Sequence, residues 1–156
     1  MRIADILRGK GEQVATITES TTVTGLLAEL AVHNIGAMVV IGIGVGGQQR
    51  SDWGIGNSGV VGIVSEREVV RYLHEYGPDL LRRPVGEIMN AVAVTCRPDD
   101  RVDDLAALMT NNRVRHVPVL DNGRLVGIVS IGDVVKNRME ELQAERQQLR
   151  AYINGG

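Results

Sequence analysis

Apolar residues recur along this chain with two different periods. Val23, Leu26, Leu27 and Leu30 fall at i, i+3, i+4 and i+7, and Val102, Leu105 and Met109 repeat that stripe, a spacing that predicts two amphipathic helices. Each predicted helix is preceded by a short β-rich run, Val14 to Ile17 and Val92 to Cys96, and by hydroxyl or acidic residues suited to capping: Ser20 to Thr22, then Asp99 with Asp100. Each is followed by a short apolar run, Ala37 to Ile41 and His116 to Leu120. Runs that stay apolar instead of alternating predict strands covered on both faces. Asp121, Asn122 and Gly123 then mark a hairpin turn into Arg124 to Val129.

The two sets are copies of one unit. VGIVS stands at Val61 to Ser65 and again at Val126 to Ser130, 65 residues on, whereas Val23, Leu26 and Val40 match Val102, Leu105 and Val119 at 79. The difference places a 14-residue insertion between Ile41 and Val60 of the first copy. Ile3 to Leu7 resembles Val85 to Met89, so each copy is introduced by a short helix, with Pro78 and Pro84 bracketing the connection. The expected organisation is a lead-in helix over 1–12, a first repeat over 13–77 with a glycine-rich insertion at 42–59, a linker and second lead-in over 78–91, a second repeat over 92–139, and a helical extension over 140–156. The fold class is α+β, two β-α-β-β-α units in pseudo-twofold packing, because a unit this small cannot complete a core alone.

Composition narrows the function classes. The chain has 156 residues, 44% of them hydrophobic, enough for one substantial core. Lys and Arg total 17 against 19 Asp and Glu, so no overall field draws nucleic acid or a membrane surface, and an anion must be caught locally. The longest apolar stretch, Ala37 to Val45, is too short to span a bilayer, and the N-terminus lacks the plan of a signal peptide, which gives a cytoplasmic expectation. Aromatics at 3% leave few rings for stacking on single-stranded bases. Cys96, the one cysteine, has no partner for an internal disulfide or a zinc pair and reads as a small apolar strand residue. His33 and His74 lie in helices with no partner at metal-ligand spacing, so no metal is expected, and no nucleophile and base can be nominated for catalysis.

Candidate chemistry sits after each VGI, where a serine precedes an acid by three residues: Ser65 to Glu68 and Ser130 to Asp133. One reading is a capping box that only stabilises a helix. The other uses the same helix N-terminus to face an anion, with the carboxylate accepting two hydrogen bonds from a ribose diol. Arg113, Arg115 and His116 form the concentrated basic cluster beside a predicted strand, either a solvated turn or a phosphate site. The first copy has Gly36 and Ala37 there, so unequal sites are expected, with Arg67 as a further phosphate candidate. Gly42, Gly44 and Gly47 satisfy GxGxxG, but Gln48 to Gly59 is polar and glycine-rich where a dinucleotide fingerprint needs a helix, so the match is rejected; Trp53 lies within that segment.

Val114 to Val135 (VRHVPVLDNGRLVGIVSIGDVV) and Val60 to Val70 (VVGIVSEREVV) closely resemble a CBS-domain pair, the Bateman module, of a stand-alone bacterial type. The resemblance covers nearly the whole chain. Gly127, Ser130 and Asp133 match the family's nucleotide signature fully, and Gly62, Ser65 and Glu68 match it with Glu in place of Asp, whose extra methylene moves the carboxylate. The resemblance implies an adenosine-containing ligand (AMP, ADP, ATP, NAD or S-adenosylmethionine) with ribose on Asp133, Ser130, Glu68 and Ser65. It also implies phosphate on Arg113, Arg115 and His116, and adenine near Ala15, Ile17, Val92 and Val94.

From Asp133 to Asn154 no Pro or Gly interrupts the chain, and Val135, Met139, Leu142, Leu149 and Ile153 recur at about 3.5 residues. This helix outruns what one repeat needs and is expected to meet a partner surface, as in a homodimer. The functional expectation is a regulatory sensor that binds a nucleotide and acts on a separate effector protein, without nucleic acid or membrane. The alternative is a ligand-free structural or interaction module.

Overall fold

The structure, a computed structural model, describes residues 1–11, 14–43 and 59–155. Gly44, Gly47 and Trp53 therefore lie outside the described residues. The elements in order are α1 (Ile3–Lys10), β1 (Thr16–Thr18), α2 (Val23–His33), β2 (Ala37–Ile41), β3 (Val60–Ser65), α3 (Glu66–Tyr76), α4 (Val102–Asn112), β4 (His116–Asp121), β5 (Arg124–Ser130) and α5 (Ile131–Gly155). Two 3-10 segments, Gly77–Arg82 and Val85–Glu87, connect α3 to the second repeat. The predicted β-α-β-β-α order is seen in full in the first copy and, without its opening strand, as α-β-β-α in the second, in mixed helix and sheet architecture.

Local chemistry explains most of these elements. Thr22 caps α2 by accepting from Gly25 N at 3.2 Å. Val23, Leu26 and Leu30 turn inward from α2, as do Val102, Leu105 and Met109 from α4. β2 is buried at every position, matching its uninterrupted apolar run. Asn122 and Gly123 both have positive φ, 50° and 79°, the backbone that a two-residue hairpin requires.

The second copy departs from expectation at its start. Val92 to Cys96 makes no strand; a single parallel bridge joins Cys96 to Val119, where β1 pairs Ile17 with Val40 over a three-residue ladder. The first run also begins later than predicted, at Thr16. Asp99 and Asp100 do not cap α4, whose N-cap is Arg101; Asp100 instead accepts from Arg97 N at 2.8 Å and closes the preceding turn. Val85 to Met89 is a short 3-10 turn, not an α-helix.

The lead-in segments are exchanged between the copies. Ile3 and Ile6 of α1 are buried in the core of the second repeat with Val102, Leu105, Met109 and Val117. Val85 and Ile88 are buried in the core of the first, with Ile17, Val23, Leu26 and Val40. The backbone repeats the exchange: Ile3 N donates to Asp100 O at 3.0 Å and Ala4 N to Pro98 O at 2.8 Å, while Val85 N donates to Thr21 O at 2.7 Å and Gly86 N to Glu19 O at 2.9 Å. These are corresponding positions in the two copies. A third cluster, Val39, Ile41 and Val60 against Val92, Leu125 and Ile128, seals the seam between repeats. Cys96 is buried in the second core, and burial pushes its thiol up to about 12, so it behaves as an apolar residue.

Because Ile3 is fully buried in the other copy's core, Ile3→Ala should cost about 2–5 kcal/mol in urea unfolding. Amide exchange should accelerate first at Val117, Val119 and Val129. A loss below about 1 kcal/mol, or faster exchange confined to the first repeat, would contradict the exchanged packing.

Candidate functional site

Both serine-acid corners form capping boxes at strand-to-helix junctions. Ser65 N donates to Glu68 Oε2 at 2.7 Å, and Ser65 Oγ also donates to that oxygen. Ser130 N donates to Asp133 Oδ2 at 2.8 Å, and Asp133 N donates back to Ser130 Oγ at 3.1 Å. The capping reading of these residues is therefore realised, and it fixes each carboxylate one turn into its helix.

Each corner also lines a cleft between the repeats. The first cleft, of about 680 Å³, is walled by Ser65, Arg67, Glu68 and Arg71 of the first repeat and by Val92, Val94, Arg113, Arg115 and His116 of the second. The second, of about 750 Å³, is walled by Ser130 and Asp133 of the second repeat and by Lys10, Val14, Ala15, His33 and Ile35 from the first half of the chain. Gly36 and His116 border both. The corners thus face two adjoining clefts, and the arginine cluster belongs to the Glu68 cleft while the full Gly127, Ser130, Asp133 signature lies in the other.

Glycines let the lead-in segments close on the corners. A Cβ at Gly62 would meet Met89 Sδ at 2.7 Å and the Asn90 carbonyl at 2.8 Å, and one at Gly127 would run into the Leu7 side chain. Each lead-in then clamps a carboxylate. Asn90 Nδ2 donates to Glu68 Oε1. Lys10 Nζ donates to Asp133 Oδ2 at 2.7 Å and to Ile128 O at 2.9 Å. Both bonds to Asp133 fall on Oδ2, and among the described residues Oδ1 accepts none.

Electrostatics follow from these contacts. Burial alone would raise the Asp133 carboxyl, but the Lys10 hydrogen bond, the Ser130 backbone bond and the Lys10 charge outweigh it and hold it below the usual carboxylate value. Burial, then the charges of Lys10 and Arg115, hold the His116 imidazole below its ordinary value; Glu68 and Asp133 pull the other way. His116 is consequently neutral at pH 7.

Of the sequence-predicted residues, Ser65, Glu68, Arg67, Arg113, Arg115, His116, Val92 and Val94 come together in one cleft, and Ser130, Asp133 and Ala15 in the other. Ile17 lines neither cleft: at the centre of β1 it is buried in the first core, beside Val23 and Leu26, whereas Ala15 precedes the strand and borders the cleft, so the predicted place of Ile17 against adenine is corrected. Sequence reasoning missed Lys10, Asn90 and Arg71. Arg71 was findable, since it lies four residues after Arg67 on the same helix face; Lys10 was not, because its partner is 123 residues away. Among the described residues no cluster of metal-ligating side chains occurs, and no helix is long and apolar enough to cross a membrane.

Known proteins share this architecture. The CBS domain family model matches residues 85–140. The chain is 34% identical over 160 residues to the CBS domain-containing protein CBSX3, mitochondrial, of Arabidopsis thaliana, covering 99% of this chain and 72% of that one. The crystal structure of the CBS-domain protein ATU1752 from Agrobacterium tumefaciens superposes with a TM-score of 0.74 at 36% identity, covering 88% of this chain and 99% of that chain. The CBS domain protein PAE2072 from Pyrobaculum aerophilum, solved in complex with AMP, superposes with a TM-score of 0.68 at 28% identity, covering 85% of this chain and 89% of that chain. The repeated units, their exchanged lead-ins and a relative matched over nearly the full length lead to one conclusion: the chain belongs to the family of CBS-domain proteins.

Proposed function

We propose that this protein is a regulatory module that binds adenosine nucleotides between its repeats and passes the binding on to a separate effector, without catalysing a reaction itself. The observation that carries the reading is that each capping box lies on the wall of an inter-repeat cleft whose volume, about 680 or 750 Å³, suits a small-molecule ligand. In this reading Asp133 with Ser130, and Glu68 with Ser65, hold ribose hydroxyls. Val92 and Val94 in one cleft, and Val14, Ala15 and Ile35 in the other, offer apolar walls to adenine. Arg67, Arg71, Arg113, Arg115 and His116 receive phosphate. The AMP bound to the Pyrobaculum relative supports the ligand class.

Coupling to an effector needs a ligand that favours one arrangement of the repeats over another. The lead-in segments supply a route, because Lys10 and Asn90 touch the carboxylates of the repeats in which their segments are anchored, and the chain leads from each segment into the other repeat. The output surface is α5, whose Val135, Met139, Leu142, Leu149 and Ile153 are all exposed. That stripe suits association of two modules into a homodimer. A ligand-free interaction module is the second reading, favoured by the fact that both carboxylates already have partners within the chain.

Calorimetric titration with AMP, ADP, ATP, NAD and S-adenosylmethionine decides between the two. At least one should bind, and Asp133→Ala or Glu68→Ala should weaken it by about 10- to 100-fold, the cost of a charged hydrogen-bond acceptor. No binding across the panel would leave the interaction module.

A pH profile gives a second check. With Lys10, Arg115, Glu68 and Asp133 around it, His116 gains a proton only below its ordinary value, so affinity for a phosphate-bearing ligand should rise as pH falls through its lowered pKa. Stability of the free protein should move oppositely, because the unfolded imidazole protonates first: the His116 contribution is fully present above about pH 6.5 and is lost as pH falls through the folded pKa. His116→Gln should flatten both trends. An unchanged profile in that variant would remove His116 from the site.

A further inference from the structure

We propose that the two clefts sort adenosine ligands by charge, the first taking a polyphosphate nucleotide and the second a nucleoside whose tail carries no net negative charge. This deepens the nucleotide reading above and rests on it. Arg67, Arg71, Arg113 and Arg115 line the first cleft against only Glu66 and Glu68. Among the described residues none of those four guanidiniums is in an ion pair, whereas Arg8, Arg83, Arg97, Arg101 and Arg138 each meet a carboxylate. Four unneutralised guanidiniums in one cavity wall make a strong field for a chain of phosphates.

The second cleft is built to the opposite balance. Its wall holds no arginine among the described residues. Its one lysine, Lys10, is tied to Asp133 at 2.7 Å and to a backbone carbonyl. His33, on the rim, bonds Glu29 at 3.2 Å. A polyphosphate there would have to pull Lys10 from Asp133 or lie beside an acid with no cation left to offset it.

The difference arises at corresponding positions of the two copies. Where the second has Arg113 and Arg115, the first has Asn34 and Gly36. Asn34 and Arg113 both end a helix in the left-handed conformation, at φ 52° and 54°. Asparagine adopts that backbone readily, while an arginine is strained there by the approach of its Cβ to the following carbonyl. The first cleft thus carries a strained arginine at a place where the other copy shows the relaxed residue.

Arg113→Asn separates folding from binding. It should raise the thermal midpoint by relieving the backbone, so any affinity it loses cannot come from unfolding. The test is calorimetry on the full chain with ATP and with adenosine, singly and with each added to protein saturated with the other. ATP should fill one site per chain, weakened at least tenfold by Arg113→Asn and by added salt. Adenosine should fill a second site in ATP-saturated protein, weakened by Asp133→Ala. ATP filling both clefts with similar affinity, ATP displacing all bound adenosine, or ATP binding that ignores Arg113→Asn would overturn the sorting while leaving the nucleotide reading intact. Failure of both ligands to bind would overturn that reading and the sorting with it.

Discussion

The exchange of lead-in segments is the constraint on which the rest of this structure depends. A β-α-β-β-α unit of this size buries too little apolar surface to stand alone, and each copy completes its core with residues that precede the other: Ile3 and Ile6 in the second repeat, Val85 and Ile88 in the first. Neither copy can move far without withdrawing isoleucine or valine from its neighbour's core. The duplicated hydrogen bonds at Ile3 and Ala4, and at Val85 and Gly86, show that the copies use the same chemistry to do it.

That exchange also makes the clefts. The chain running from α1 into β1 and the chain running from Val85 to Val94 each cross from one repeat to the other, and the gap each leaves is closed on one side by a serine-acid corner. Gly62 and Gly127 allow the crossing segments to approach without a Cβ in the way. Each crossing segment then supplies the group that meets the carboxylate, an amide from Asn90 at Glu68 and an ammonium from Lys10 at Asp133. The same backbone plan therefore yields two sites of different charge. A ligand at either carboxylate acts on a segment rooted in that carboxylate's own repeat, from which the chain leads into the other repeat; this is the physical basis for reading the clefts as places where binding changes the relation between repeats.

Much of this was legible in the sequence, for identifiable reasons. The repeated VGIVS fixed the copies, the i, i+3, i+7 stripes fixed α2 and α4, and Asn122-Gly123 fixed a hairpin, since each is a local pattern with a local cause. The corners were legible as pairs of residues three apart. What could not be read was anything decided by contact across the chain. Val92 to Cys96 has strand composition, yet finds a ladder partner only at Cys96. Ile17 belongs to the right segment but lies inside β1, where the core covers it, while Ala15 just before the strand borders the cleft. Arg113 and Arg115 stand nearer in sequence to Ser130 and Asp133 but line the cleft of Ser65 and Glu68; that pairing is set by how the repeats face each other. Lys10 lies in a segment whose apolar residues suggested a helix and nothing more.

The central claim is that the two carboxylate corners hold the sugar of a ligand lodged between repeats. A crystal structure of the protein grown with AMP or ATP tests it most directly. The account predicts ribose hydroxyls within hydrogen-bond distance of Glu68 or Asp133, with the Asn90 or Lys10 contact to that carboxylate altered. A nucleotide bound elsewhere on the surface, with both capping boxes and both lead-in contacts undisturbed, would contradict it.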